Sequence, residues 1–292
     1  MTIYDLVHQA NSIFKLAGFK SSQREAEFLM GDILGWDYSE TVTNFQKNLS
    51  KDKEAKFRAG LVRRLEGEPL AYIVGFCHFY RHKFLVKEGV LVPRPETEHL
   101  VEFAENWIRE QKIEQPLVVD LGSGSGCIGI SVAISAKAKL VAIDVSPVAQ
   151  EMTLKNASEL GVEASTHFIL CPVQELDIKS LLKKQGRDGV DVLLANPPYI
   201  ADDDPRICPW VKRYEPDLAL FGGHDGLMQV RDWLPIIADL LRPGGLFCME
   251  HGATQGKQVV ELVNNQGAFE EVTSYKDLAG WERVVTAVRR RN

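Results

Sequence analysis

Residues 118–130 read VVDLGSGSGCIGI. Val118 and Val119 belong to an apolar run that closes on Asp120. Gly122, Ser123, Gly124, Ser125 and Gly126 follow before apolar residues resume at Cys127. This is a buried strand, a glycine loop and the start of a helix. Glycine permits a tight turn and lets a ligand approach the backbone at the carboxyl edge of a sheet. The next apolar run, KLVAID, ends in Asp144. An acidic residue about twenty positions after such a loop can accept hydrogen bonds from both hydroxyls of a ribose.

Working outward, strand and helix patterns alternate. Strands are expected at PLVVDLG, KLVAID, THFIL, VDVLLA and GGLFCME. Helices are expected at 126–136, 146–160, near 176–184, at 226–242 and at 255–265. Two closing strands, about 269–275 and 282–288, have no helix between them. Strict alternation indicates a doubly wound parallel sheet. A short final connection makes the last strand antiparallel. The expected fold is therefore α/β, a Rossmann-like seven-stranded sheet with an antiparallel last strand.

Two cofactor types fit the loop. Gly124, Gly126 and Gly129 satisfy GxGxxG, which admits NAD. Asp120 favours a different ligand. Its carboxylate repels a pyrophosphate and attracts the ammonium of S-adenosylmethionine, directly or through water. The antiparallel last strand also suits methyltransferases better than dehydrogenases.

The N-terminal part differs in kind. Ile3, Leu6, Val7, Ile13, Phe14 and Leu16 fall near one helical face, with Gly18 as a stop. Ser22 stands three residues before Glu25, a capping-box pattern for a second helix. A short third helix is expected over 39–46, and Ser50 should cap a fourth running to about Glu66. Strands at about 76–80 and 83–87 should form a hairpin, and a helix is expected at about 97–111. The expected domains are residues 1–72, a helical region that docks substrate; 73–92, a hairpin linker; and 93–292, the catalytic part.

Composition excludes several classes. The 292 residues are 45% apolar and 25% charged, with a formal net charge of −6, which lowers the prior for a nucleic-acid backbone binder. No apolar run approaches the ~20 residues of a membrane span. The N-terminus shows no signal-peptide pattern. Five scattered cysteines, none in CxxC spacing, suit a reducing cytoplasm. His78 and His82 sit in strand-like alternation and read as surface or edge residues.

The run VDVLLA ends in Asn196, Pro197, Pro198 and Tyr199. In isolation Asn-Pro-Pro is a rigid turn. At the carboxyl edge of the sheet it is equipped to hold a planar –NH2 group. The Asn196 oxygen and a proline carbonyl can accept its two N–H bonds, and the Tyr199 ring can cover its face. Fixed acceptors raise effective molarity. They also stabilise the positive charge that develops on nitrogen during methyl transfer.

GEPLAYIVG (67–75), VLVPRPETE (90–98), DLGSGSG (120–126), LLANPPYI (193–200), EPDLALFGGHDGL (215–227), RPGGLFCMEHGATQG (242–256) and DLAGWERVV (277–285) fall in an order that resembles the HemK-like protein-(glutamine-N5) methyltransferases. The similarity runs from about residue 60 to 288, and PRPETE (93–98) and the EPDLALFGGHDGL segment (215–227) are its most specific parts. The resemblance implies S-adenosylmethionine as donor. It implies, as acceptor, the glutamine side chain in the GGQ loop of class I peptide-chain release factors. It implies cofactor contacts from Gly122, Ser123, Gly124, Ser125 and Gly126, a ribose contact from Asp144, and substrate contacts from Asn196 to Tyr199, with Asn196 also near the cofactor. Asn196, Pro197 and Tyr199 become the catalytic candidates. Val173 and Gln174 align with the adenine contact, where the family usually shows an acidic and then an aromatic or apolar residue. A monomer that binds neither nucleic acid nor membrane is expected. The competing readings are a ribosomal-protein glutamine methyltransferase, a nucleic-acid adenine-N6 methyltransferase and an NAD-dependent oxidoreductase.

Overall fold

The computed structural model describes Met1–Arg291. The chain divides into two compact units, the first Met1–Phe76 and the second beginning at Cys77.

The first unit is helical: α1 (Ile3–Leu16), α2 (Ser22–Leu34), α3 (Tyr38–Thr43), α4 (Lys51–Leu65) and α5 (Leu70–Val74). Its core gathers Leu6, Phe14, Leu29, Met30 and Phe57. Thr2 and Asp5 form a reciprocal capping box on α1, and Ser50 caps α4 as expected. Two expectations fail. Ser22 is not the cap of α2: Ser21 holds that position without a side-chain bond, and Ser22 Oγ instead donates to Asn11 Oδ1 at 2.7 Å. Ile13 and Leu16 are exposed, Leu16 by 90%. Ala10 completes the buried face between Val7 and Phe14 in their place.

The second unit opens with a hairpin, β1 (Phe76–Phe79, whose first residue closes the helical unit) and β2 (His82–Leu85). The main strands are β3 (Leu117–Leu121), β4 (Lys139–Asp144), β5 (Thr166–Leu170), β6 (Val190–Ala195), β7 (Leu241–Glu250), β8 (Phe269–Lys276) and β9 (Glu282–Arg289). The helices are α6 (Glu98–Glu110), α7 (Cys127–Ala136), α8 (Pro147–Glu159), α9 (Ile178–Gln185), α10 (Pro209–Tyr214), α11 (Asp217–Leu220), α12 (Met228–Leu240) and α13 (Gly256–Gln266). The sheet order is β5-β4-β3-β6-β7-β9-β8. β9 is antiparallel to both its neighbours, as the short final connection requires. The short helices α10 and α11 were not expected from the sequence.

Strand periodicity divides the core in two. Val119, Leu121, Val141, Leu193, Phe247 and Val285 face α9, α12 and α13. Val118, Leu140, Val192, Leu194, Cys248 and Val284 face α6 and α7, together with Phe79 and Phe84 of the hairpin. Both faces are covered, so the central strands are apolar on both faces apart from the buried Asp120 of β3 and Asp191 of β6. Among the described residues, no helix is long and apolar enough to cross a membrane.

Chain order reverses between β3 and β6, which places the topological switch point, and its crevice, beyond their carboxyl ends. Leu121 lies opposite Ile143 and Ala195, and Ala195 opposite Met249. One residue further on, Asp144, Gly122, Asn196 and Glu250 therefore form a row across four adjacent strand ends.

Candidate functional site

A cleft opens at this row. Its walls include Gly122, Ser123, Gly124, Ser125, Asp144, Val173, Gln174, Asn196 and Pro198. The glycine loop and the Asn-Pro-Pro-Tyr turn thus share one cavity. Gly126, Pro197 and Tyr199 adjoin these residues in the chain but do not themselves line the cleft. Gly126 caps α7 at φ +79, and Pro197 is buried.

Gly122 and Gly124 adopt positive φ, +70 and +55, and a Cβ built on Gly124 would meet nothing within 4 Å. The loop therefore presents bare backbone to a ligand. Asp144 fixes it: Oδ2 accepts from Gly124 N–H and Oδ1 from Ser146 N–H, both at 2.9 Å. Each oxygen retains a lone pair, and Asp144 lines the cleft. Burial raises its pKa, opposed by the backbone donors of Gly124, Ser146 and Val145. Val90, Leu91, Val145 and Trp233 supply apolar wall. Backbone, a carboxylate and apolar wall together fit S-adenosylmethionine.

Asp120 corrects one expectation. It does not face the cleft. It shares the parity of Val118 and points at α7, fully buried, where Oδ2 accepts from Gly129 N–H at 2.9 Å. Oδ1 has no hydrogen-bond partner. Burial, and to a lesser degree the charge of Asp144, push its pKa up to about 7, against the Gly129 bond. Gly129 has no room for a side chain, since a Cβ would lie 2.6 Å from Leu140 and 3.0 Å from Asp120. The third glycine of the GxGxxG pattern serves helix–strand packing here.

The Asn-Pro-Pro-Tyr turn is held from three sides. Ile200 N–H donates to Leu220 carbonyl, and Gly222 N–H to Ile200 carbonyl. Gln255 Nε2 donates to Tyr199 carbonyl at 3.0 Å. Two glycines allow this approach. A Cβ at Gly222 would lie 2.5 Å from Pro198 carbonyl, and one at Gly226 2.2 Å from Tyr199 carbonyl. Glu215, buried at the end of α10, accepts from Val92 N–H and Arg94, so residues 90–98 are tied to the same support.

The site's side chains are linked. Asn196 Nδ2 donates to Thr97 Oγ1 at 3.3 Å. Thr97 Oγ1 donates to Glu250 Oε2 at 2.6 Å. Tyr199 hydroxyl donates to Glu250 Oε1 at 3.0 Å. Burial raises the Tyr199 pKa, and the neighbouring Glu250 carboxylate raises it further.

Comparison with known proteins agrees with this architecture. The PrmC N-terminal domain family matches residues 5–75, and the family described as Conserved hypothetical protein 95 matches residues 78–215. A release factor glutamine methyltransferase of Bifidobacterium longum is 33% identical, over 99% of this chain and 100% of its own. The chain belongs to the release factor glutamine methyltransferase family. Relatives of the same name from Koribacter versatilis and Clostridium acetobutylicum are 35% and 32% identical, covering 98% and 99% of both chains, respectively. The motifs that carried the resemblance now have physical roles in this member of the family. Residues 90–98 supply Arg94 and Thr97, residues 215–227 supply Glu215, Gly222 and Gly226, and residues 242–256 supply Glu250 and Gln255. Sequence reasoning did not single out Thr97, Glu250 or Gln255. The available signal was Glu250 itself, a charge closing the apolar strand GGLFCME at the parity of Asn196.

Proposed function

We propose that this methyltransferase modifies the side-chain amide nitrogen of the glutamine in the GGQ loop of class I peptide-chain release factors, with S-adenosylmethionine as donor. The observation that carries the reading is the shared cleft: the turn from Asn196 to Tyr199 lies one strand away from the glycine loop and two from Asp144.

When bound, S-adenosylmethionine supplies an electrophilic methyl group: the nitrogen–methyl bond forms as the sulfur–methyl bond breaks, leaving a neutral thioether. The protein's task is to hold the acceptor. An amide nitrogen is a poor nucleophile because its lone pair is delocalised. Asn196 Oδ1 and a proline carbonyl accept its two hydrogens, turning the lone pair out of conjugation. The same oxygens stabilise the charge that grows on nitrogen. Water takes the proton after transfer, so no strong base is needed. Tyr199 flanks the amide face. Gly122 to Gly126 and Asp144 hold the donor, with Val173 and Gln174 beside its adenine.

The helical unit, residues 1–72 in this reading, docks the release factor, and the chain acts as a cytoplasmic monomer without direct nucleic-acid binding. The net charge of −6 supports the last point. Tandem mass spectrometry of a release factor after incubation with protein and donor tests the function. The expected result is one added methyl group on the GGQ glutamine. Methyl incorporation only into RNA, DNA or a ribosomal protein would overturn it.

A further inference from the structure

Glu250 is a buried carboxylate that this chemistry leaves unused. It ends β7 at 2% exposure and receives two hydroxyl protons, from Thr97 and from Tyr199. Burial raises the Glu250 pKa, while the hydrogen bonds from Thr97 and Tyr199 and the charge of Arg283 favour its ionised form, which only accepts, whereas a hydroxyl has one proton to give. The Thr97 proton is therefore committed to Glu250. Towards Asn196, Thr97 Oγ1 can act only as an acceptor, and it takes Nδ2–H at 3.3 Å.

This matters because the two ends of an asparagine amide are nearly the same size. Only the hydrogen-bond network decides which end points where. We propose that Thr97 and Glu250 are positioning residues that set the polarity of the Asn196 amide, drawing Nδ2 to Thr97 and turning Oδ1 towards the acceptor. The inference rests on the functional reading above. A flipped Asn196 would offer an –NH2 group to the substrate –NH2 group, donor against donor. Glu250 thus acts on the reacting nitrogen through Thr97 and Asn196 without touching it. The Tyr199 hydroxyl, committed to the same carboxylate, cannot compete for that nitrogen.

Single-turnover methyl transfer to a class I release factor, at saturating S-adenosylmethionine and partner, tests the inference. Thr97→Val keeps the shape and removes the hydroxyl; Thr97→Ser keeps the hydroxyl. The valine form should transfer at least tenfold more slowly than wild type, and the serine form within threefold. Calorimetric affinities for donor and release factor should change less than twofold in both. In an Asn196→Ala background the two forms should have equal rates, because Thr97 then has no amide to orient. Equal rates in the wild-type background, or an undiminished difference in the Asn196→Ala background, would overturn the inference. Thr97→Ala replaces the valine form in the same comparison if that form does not fold. Glu250→Gln puts a donor in place of one acceptor and should slow transfer at least fivefold; a rate within twofold of wild type removes Glu250 from the assignment. A wild-type protein that transfers no methyl group to the release factor overturns the functional reading, and this inference with it.

Discussion

Single atoms decide the chemistry of this cleft. In the proposed reading, removing the Asn196 amide deletes a preorganised acceptor, a change that typically costs on the order of 10²–10³ in kcat. Asn196→Ala should therefore slow single-turnover transfer by that factor while donor affinity falls much less. A rate within threefold of wild type, with the fold intact, would show that Asn196 does not position the acceptor. Asp144→Ala should weaken donor binding by roughly 1.5–3 kcal/mol, the usual loss for a hydrogen bond to a charged group. Unchanged calorimetric affinity would remove Asp144 from the ribose site. Asp120 affects stability instead. Its folded pKa of about 7 lies above the ordinary 3.8. Below pH 4 it is neutral in both folded and unfolded chains. Between pH 4 and 7 the unfolded chain releases the proton while the folded one keeps it, so stability falls as pH rises and levels off above 7. The loss is on the order of a few kcal/mol. Asp120→Asn keeps an oxygen for Gly129 N–H and should flatten this slope in urea titrations. A slope equal to that of wild type would contradict it.

At the scale of elements, the glycines around Asn-Pro-Pro-Tyr make a sharp test. Gly226→Ala meets two obstacles: φ of +72 and the Tyr199 carbonyl 2.2 Å from the new Cβ. The left-handed backbone alone costs about 1–2 kcal/mol. Displacing Tyr199 adds a rate effect, because misplacement near 1 Å can cost about 10²-fold. Gly161→Ala is the control, with φ of +74 and nothing within 4 Å. It should lower Tm by the backbone cost alone and keep the transfer rate. Equal rates for the two variants would mean that the glycine segment does not shape the site. The same scale shows what the sequence reveals. The central strands are legible because both faces are buried, which leaves apolar runs interrupted only at Asp120 in β3 and Asp191 in β6. Ser22 misleads because Glu25 stands three residues after it, as in a capping box, whereas its hydroxyl is taken by Asn11 and the helix begins one residue earlier, with Ser21 at the cap position. The chain from Ile200 to Leu227 carries too little periodicity to show α10 and α11. Glycine loop, Asp144 and Asn196 are readable as motifs, each local in sequence. The Thr97–Glu250 bond spans 153 residues, and no local pattern encodes it.

At the scale of the whole molecule, the two units predict separable tasks. The second unit contains every cleft residue named above, and the first contains none. A chain beginning at Cys77 should still bind S-adenosylmethionine and methylate a short GGQ peptide, but its kcat/KM on the intact release factor should fall at least tenfold. Equal kcat/KM for full-length and shortened chains would reduce the helical unit to scaffold. The strand order has a further consequence, for biogenesis. β9 lies between β7 and β8 and sends Val284 to one core layer and Val285 to the other. Until β9 emerges from the ribosome, β7 has an unpaired edge along Leu246–Glu250, the segment that β9 later covers. At about 5–20 residues per second, the chain between the ends of β7 and β9 takes roughly 2–8 s to synthesise. For that interval the nascent protein displays an apolar strand edge open to pairing with another chain, so early aggregation and chaperone capture should concentrate there.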